Sequence, residues 1–291
     1  MTATRRCVWP GLSRAANYVG SSFSRAASEG SGFSRAASVG SGFSRTSLAV
    51  TLACLLISPV HAQRGQGGQR GAASPRAAAP VDLTGTWVTV VTEDWRFRMI
   101  TPKKSDHPSI PLNAEGVRVA AAWDPAKDEA AGEQCRAYGA AGVMRAPGRV
   151  RISWQDETAM KIETEAGAQT RLLRFGGASA DGGAPDWPGQ SAAVWELAGG
   201  RRGRGQGGTL KVVTTRMRSG YLQKNGVPYS ANAILTEHFA RTVEPNGDSW
   251  LILTAIVEDP QYLTGRFVRS THYKRLPDGN AAWEPEACSS R

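Results

Sequence analysis

Apolar and polar residues alternate with a period of two along much of the chain after residue 81. In the segment 149–154 (RVRISW), for example, polar residues separate Val150, Ile152 and Trp154. Successive side chains of a β-strand point to opposite faces, so this alternation is typical of a half-buried antiparallel strand. We predict strands at about 84–92, 95–99, 149–154, 160–163, 170–175, 191–197, 210–216, 233–243, 250–258 and 267–274.

One segment departs from this pattern and predicts a helix. Asn113 can cap residues 114–123, whose apolar side chains share one side, and Asp124-Pro125 ends the helix. Many short strands with one early helix are typical of an all-β sandwich or barrel. The barrel is favoured, because closure removes the edge strands that a flat sheet exposes. We therefore predict an antiparallel up-and-down barrel of about 8–10 strands with one short N-terminal helix.

The chain before residue 81 has the pattern of an exported protein. Residues 46–62 contain an apolar run and end in Val60-His61-Ala62, a small-residue cleavage pattern. The run of about ten residues is too short to span a bilayer. We therefore predict a signal peptide cleaved after Ala62, a periplasmic or secreted protein, and no transmembrane segment after cleavage. Residues 63–80, rich in Gly, Ala and Arg, predict a disordered linker, and residues 81–291 a single β-barrel domain.

Residues 1–45 form a low-complexity leader. Ten-residue units such as SSFSRAASEG and SGFSRAASVG follow one another from residue 11 onward. Units this short are below the length of a structural repeat. We interpret them as an expanded repeat translated from a start codon upstream of the true one, with Val39 as an alternative start. An interaction arm with regularly spaced basic residues is the other interpretation.

The net charge of +10 comes mostly from the leader and linker. Residues 1–80 hold nine Arg and one acidic residue, which leaves 26 Lys and Arg against 24 Asp and Glu, a net charge of +2, for residues 81–291. A nearly neutral domain gives no indication of nucleic-acid binding, and we predict none. The Arg/Gly segment 199–208 is interpreted as a flexible loop.

The cysteines predict one disulfide. Cys7 and Cys54 are removed with the leader and signal, so Cys135 and Cys288 remain as a pair in an oxidising compartment. Neither has a Cys or His neighbour at metal-ligand spacing, so no metal site is predicted. No phosphate-binding loop or dinucleotide fingerprint occurs in a suitable context, and no cofactor is predicted.

Several motifs resemble those of known proteins. Gly85-Thr86-Trp87 in the first strand is similar to the Gly-x-Trp of lipocalin-type barrels, where the Trp closes one end. The wider pattern resembles a group of uncharacterised secreted bacterial proteins with a signal peptide and one cysteine pair. This resemblance covers nearly all of residues 82–288, departs from the group at the insertion 199–208, and implies a lipocalin-like barrel without implying an activity. The motifs that carry it are Cys135, Gly142, Met144-Arg145, Trp195-Glu196, 210–215, 226–230, 236–239 and 258–264.

Glu237 is the strongest candidate for chemistry. It alternates with Leu235 and Phe239 on one face of its strand, and burial there would raise its pKa towards that of a general acid or base. The alternatives are a solvent-facing Glu237, or structural pairing with Arg171 or Arg174. If the chain is an enzyme, His238 or Tyr262 nearby would assist Glu237 in catalysis. The segment 258–262 is interpreted as an Asx-type turn in preference to the rim of a ligand-binding mouth.

Three functions are compatible with these observations. The first is a barrel that binds a small, largely apolar molecule, with its cavity lined by Trp154, Ile162, Trp195 and Phe239 and a polar group held by Glu237 and an arginine. The alternative is a barrel enzyme that uses Glu237 as general acid or base on a small hydrophobic substrate. A third is an interaction module whose loop 199–208 meets an acidic surface. The sequence makes no prediction of oligomeric state.

Overall fold

The computed structural model describes residues 73–177, 183–199, 207–277, 279 and 282–291. The predicted leader, the signal peptide and linker residues 63–72 lie outside the described residues. Most of the Arg/Gly segment, residues 200–206, also lies outside them. Within the described part of the chain, no helix is long and apolar enough to cross a membrane.

The described residues contain eleven strands, and their positions largely follow the alternating pattern. They are β1 Gly85–Val90, β2 Arg149–Trp154, β3 Ala159–Thr164, β4 Thr170–Phe175, β5 Gln190–Leu197, β6 Gly208–Thr215, β7 Gly220–Gln223, β8 Val227–Tyr229, β9 Ile234–Val243, β10 Ser249–Glu258 and β11 Phe267–Arg275.

Nine of these described strands close into a barrel in the order β1-β11-β10-β9-β6-β5-β4-β3-β2, and β7 and β8 form a separate hairpin. The prediction of an all-β barrel is confirmed.

The barrel sheet is mixed, so the prediction of a wholly antiparallel, up-and-down barrel is wrong. Strands β4 and β5 run parallel, with Leu173 opposite Ser191. After β4 the chain therefore returns to the end of the barrel where β4 began before it enters β5. In addition, β6 pairs with β9, and the β7–β8 hairpin lies between them in the chain. Alternation predicts strands but carries no information about which strand is the neighbour.

The described residues also contain four short α-helices rather than one. They are α1 Trp95–Met99, α2 Ala114–Ala121, α3 Pro125–Ala130 and α4 Ala140–Val143, with 3-10 turns at Gln134–Tyr138 and Ala166–Ala168. The predicted helix is confirmed as α2, whose Asn113 side chain accepts a hydrogen bond from Gly116 N at 2.9 Å. The predicted strand at 95–99 is wrong and is helix α1. Asp94 before it adopts a left-handed backbone (φ 50°) that turns the chain.

Side chains fill the interior of the barrel. Trp87 is fully buried, and its indole nitrogen donates to Leu83 O at 3.0 Å. Inward-facing residues from the other strands surround it and form one apolar cluster; they include Val150, Ile152, Ile162, Leu173, Leu210, Val212, Phe239, Leu251, Leu253 and Tyr273. The large inward-facing side chains of this nine-stranded barrel therefore form a packed core.

The two ends of the barrel are covered by different parts of the chain. The upper end is the one where β1 ends and β2 begins, and it carries the helices and the β7–β8 hairpin over a second apolar cluster. Tyr273 at this end donates to Met144 O. The disulfide predicted between Cys135 and Cys288 is confirmed, with 5.0 Å between the Cα atoms. It joins the C-terminal segment to these covering elements.

The lower end is closed by part of the predicted linker. Residues 73–80 are described, and Pro75 O accepts a hydrogen bond from the Trp195 indole at 2.9 Å. Ser74 Oγ donates to Glu157 Oε2 at 2.7 Å, so the segment is also held to the loop after β2. Ordered chain therefore begins at least eight residues before residue 81, and the disorder predicted for residues 63–72 stays a prediction.

Candidate functional site

A buried ion pair crosses the barrel interior. Arg171 on β4 donates from Nη1 and Nη2 to the two carboxylate oxygens of Glu237 on β9, at 3.1 and 2.5 Å, and both side chains are 1% exposed. Arg171 Nη2 also lies 3.2 Å from Thr214 Oγ1, which in turn lies 2.8 Å from Ser191 Oγ. Glu237 faces the barrel interior, and of the interpretations that the sequence leaves open the structure shows the structural pairing with Arg171.

The predicted catalytic group does not come together around Glu237. His238 follows it on the opposite face of β9, and its Nδ1 lies 3.2 Å from Glu196. Tyr262 lies in the turn after β10, where its backbone N–H donates to Asp259 O. Both oxygens of Glu237 are occupied by a guanidinium, so proton transfer to a substrate would require this pair to break.

The predicted cavity-lining residues pack against other side chains. Ile162 and Phe239 belong to the barrel core and are almost completely buried. Trp154 and Trp195 face inward at the lower end with Phe175, at ring-centroid distances of 5.5 to 6.5 Å, beneath residues 73–80. The inward direction of these residues agrees with the prediction. The space that they would line is occupied by protein.

The turn after β10 has the structure predicted for it. Asp259 is buried, and its carboxylate accepts hydrogen bonds from Ser230 N at 2.7 Å and Ser230 Oγ at 2.8 Å. It also accepts from Gln261 N at 3.2 Å, which is the hydrogen bond of an Asx-type turn. The turn interpretation is confirmed, and the carboxylate holds the β8–β9 connection to this turn.

A cleft of about 410 Å³ opens at the upper end of the barrel. We call it the upper cleft. It is bounded by α1, the connection between α4 and β2, the β7–β8 hairpin and the start of β11. Its charged lining residues are Asp94, Arg98, Arg145, Lys224, Arg269 and Glu286, and its apolar ones include Phe97, Met99, Ile110, Leu222 and Phe267. This volume is within the range of small-molecule sites.

Three arginines form the basic side of the upper cleft. Arg98 donates from Nε to Arg145 O at 2.9 Å and forms an ion pair with Glu93. Arg145 Nη2 lies 3.1 Å from Asp94 Oδ2, and Arg269 Nε lies 3.2 Å from the same oxygen. A single carboxylate is thus shared between two guanidinium groups.

Two nitrogens of these guanidinium groups remain unsatisfied. Arg98 Nη2 and Arg145 Nη1 are buried and have no hydrogen-bond partner among the described residues. The Arg98 side chain is 1% exposed. Burial and the neighbouring Arg98 lower the pKa of Arg145 to about 10, so it remains charged at neutral pH. Buried polar groups are normally paired, and these two donors are among the described polar atoms for which the fold supplies no partner.

Sequence reasoning missed this site for identifiable reasons. In the sequence, Met144-Arg145 belongs only to a resemblance, and the alternation in residues 95–99 places Arg98 on the polar face of a predicted strand. Residues 95–99 do alternate, but the turn at Asp94 begins a helix that buries Arg98 among the covering elements. Arginines from three separate segments meet only in the folded chain. A single arginine in a sequence is not part of a motif that would predict its proximity to the other two.

The C-terminal segment forms one wall of the upper cleft and is held by Glu165. Glu165 Oε1 accepts a hydrogen bond from Glu284 N at 2.9 Å, and Glu165 O accepts one from Glu286 N at 2.8 Å. Burial raises the pKa of the Glu165 carboxyl, but hydrogen bonds from Arg149 and Glu284 outweigh it and hold the pKa below 4.5. The charged form therefore stabilises the folded chain.

Replacing Glu165 with glutamine should reduce the free energy of unfolding by about 1–3 kcal/mol at neutral pH, because charge-assisted hydrogen bonds to Arg149 and Glu284 are lost. A carboxyl with a lowered pKa stabilises the fold above its unfolded pKa, and this contribution disappears as the pH falls through the folded pKa. The free energies of unfolding of wild type and variant, measured with urea, should therefore become equal in acid, at pH values below 4.5, the pKa of a free glutamate side chain. A difference that persists unchanged there would contradict this assignment.

Comparison with protein-family models, with curated proteins and with solved structures finds no match to this chain. The indications of function are therefore three features of the chain itself: a filled barrel, a buried internal ion pair and a basic, partly apolar cleft at the upper end.

Proposed function

We propose that the chain binds a small anion with an apolar portion in the upper cleft. The observation that carries the proposal is that Arg98 and Arg145, each of which has one buried nitrogen without a partner among the described residues, line a cleft large enough for such a molecule. Leaving a buried donor unsatisfied costs about 1–3 kcal/mol, and more for a charged group. An anion that accepts from both guanidinium groups removes this cost.

A carboxylate suits the geometry of the basic side. Guanidinium groups recognise carboxylates through two parallel hydrogen bonds, and such charge-assisted bonds are stronger than neutral ones. The lining also contains apolar side chains, and Phe97, Leu222 and Phe267 are available to contact a hydrocarbon portion. We infer a carboxylic acid with an aliphatic or aromatic body, because the lining combines guanidinium groups with apolar side chains.

The proposed function is small-molecule binding, as the sequence analysis expects, but the proposed binding site is a different one. It remains a small-molecule-binding barrel, lipocalin-like in its closed sheet, and the signal peptide at 46–62 would export it to the periplasm or beyond. The ligand lies at the covered upper end instead of inside the barrel, because the interior is filled by residues such as Phe239 and by the Arg171–Glu237 pair.

A fluorescence titration with dansyl-labelled undecanoate and with its methyl ester tests the proposal. We expect the acid to bind at least about tenfold more tightly than the ester, because the ester cannot form charge-assisted hydrogen bonds. Arg145→Gln should weaken acid binding by about tenfold or more and leave ester binding nearly unchanged.

Arg174→Gln is the matched control, since Arg174 is an exposed arginine on β4 outside the cleft lining. Thermal unfolding of each variant shows whether the fold is retained. Equal binding of acid and ester, or the same loss in the Arg174 variant, would refute the site.

A further inference from the structure

An exposed apolar surface lies beside the mouth of the upper cleft. Trp95, Met99 and Ile100 are 64%, 57% and 62% exposed. Trp95 and Met99 are four residues apart on α1 and so share one side of the helix, and Ile100 follows directly. We call these three residues the lip. Large apolar side chains that are contiguous and exposed mark a surface that contacts an apolar partner.

Basic residues border the lip. Arg96 on α1 is half-exposed, and Lys103 and Lys104 are exposed in the loop that follows. Arg96 Nη2 lies 3.1 Å from Asp106, which places this loop directly beside the helix. Asn225 donates to Lys103 O at 2.8 Å, so the loop is also held to the β7–β8 hairpin. The loop that carries the two lysines is therefore held beside α1, and because Asp106 balances the charge of Arg96, Lys103 and Lys104 supply the net positive charge of the border.

The lip is continuous with the cleft. Met99 is exposed at the lip and also lines the upper cleft, next to Phe97 and Arg98. A molecule that moves from the lip into the cleft passes from exposed apolar side chains to the buried guanidinium groups. This path suits a molecule with a hydrocarbon portion and a negative head.

An anionic bilayer surface fits this combination better than a protein surface does. Tryptophan and aliphatic side chains enter the boundary between headgroups and acyl chains, while nearby lysines and arginines attract anionic lipid. The charge and the apolar area thus point to the same partner.

We propose that the lip docks the chain onto anionic lipid bilayers, with the mouth of the upper cleft at the membrane surface. Docking rests on the lip and its border alone. One consequence rests on the proposed function: the ligand is then an acyl-chain carboxylic acid that partitions into the bilayer and enters the cleft from it.

Vesicle flotation tests the docking. The full chain is mixed with vesicles of phosphatidylcholine, or of phosphatidylcholine and phosphatidylglycerol in equal parts, and the floated protein is measured. We expect flotation with the anionic vesicles, little with phosphatidylcholine alone, and a loss of binding as salt is raised. Trp95→Ser/Ile100→Ser should reduce binding by at least about tenfold, because two apolar side chains no longer enter the bilayer.

The matched control removes two exposed apolar side chains from the barrel wall. Val194 and Val243 are 53% and 60% exposed, and Val194→Ser/Val243→Ser should float like wild type. No flotation of wild type, equal flotation with both vesicle types, or equal loss in the two double variants would overturn the docking.

Failure of docking is distinguishable from failure of the proposed function. Neither Trp95 nor Ile100 lines the cleft, so their double variant should bind dansyl-labelled undecanoate like wild type. Vesicle binding without acid binding would refute the proposed function and leave docking standing. Acid binding without vesicle binding would refute the docking and leave the proposed function standing.

Discussion

Replacing Glu237 with glutamine is expected to lower the free energy of unfolding by about 3–5 kcal/mol, because it leaves the Arg171 guanidinium charged and buried without its counterion. Glu237 and Arg171 are each 1% exposed, so water cannot take over the lost interaction. Urea unfolding at neutral pH, followed by tryptophan fluorescence, measures the difference directly.

Two further variants separate the loss of charge from general damage. Arg171→Leu/Glu237→Leu removes both charges and should recover a large part of the loss, since a buried pair contributes little beyond an apolar replacement of similar size. Glu163→Gln removes a half-buried carboxylate that pairs with Lys161 at 3.3 Å, and it should cost less than about 1 kcal/mol. A Glu237→Gln variant as stable as wild type would show that the carboxylate is not the required counterion.

Removing the Cys135–Cys288 disulfide is expected to cost about 4–5 kcal/mol. The bond joins residues 153 apart, and in the chain-entropy model a crosslink that closes so long a loop restricts the unfolded chain by about this amount. The bond also holds the C-terminal segment, which supplies Glu286 to the wall of the upper cleft. Loss of the bond should therefore also weaken ligand binding.

Urea unfolding of wild type and Cys135→Ser/Cys288→Ser, each with and without reductant, checks this expectation. Reductant should destabilise wild type to the level of the double variant and leave the variant unchanged. A double variant within about 1 kcal/mol of wild type would mean that the unfolded chain is not restricted as the model requires.

The sequence predicts the strands of this fold better than their arrangement. In β2 the alternation of apolar and polar residues identifies both the strand and its inward face, because one face must be buried, whereas in β9 it identifies the strand and leaves the inward face open. The parallel pairing of β4 with β5 has no such signal, since each strand carries the same alternation whichever direction its neighbour runs. Helix α2 was predictable from its Asn113 cap, whereas α1 has no side-chain cap and was mistaken for a strand.

The sequence predicts the direction of candidate site residues but not their surroundings. Phe239, Trp154 and Trp195 face inward as expected, and Glu237, whose direction the sequence leaves open, faces inward too. Whether an interior is a cavity or a core depends on the summed volume of side chains from nine strands, which no single segment reveals. The upper cleft was not predictable, because it depends on arginines brought together from α1, the 144–148 connection and β11.

The upper cleft is expected to select a carboxylate with an apolar body. Native mass spectrometry tests this selectivity on the purified chain mixed with equal amounts of a medium-chain carboxylic acid and the alcohol of the same length. We expect a non-covalent adduct with the mass of the acid in wild type, lost on denaturation and strongly reduced in Arg145→Gln. No adduct, equal adducts of acid and alcohol, or an adduct that persists undiminished in Arg145→Gln would contradict it.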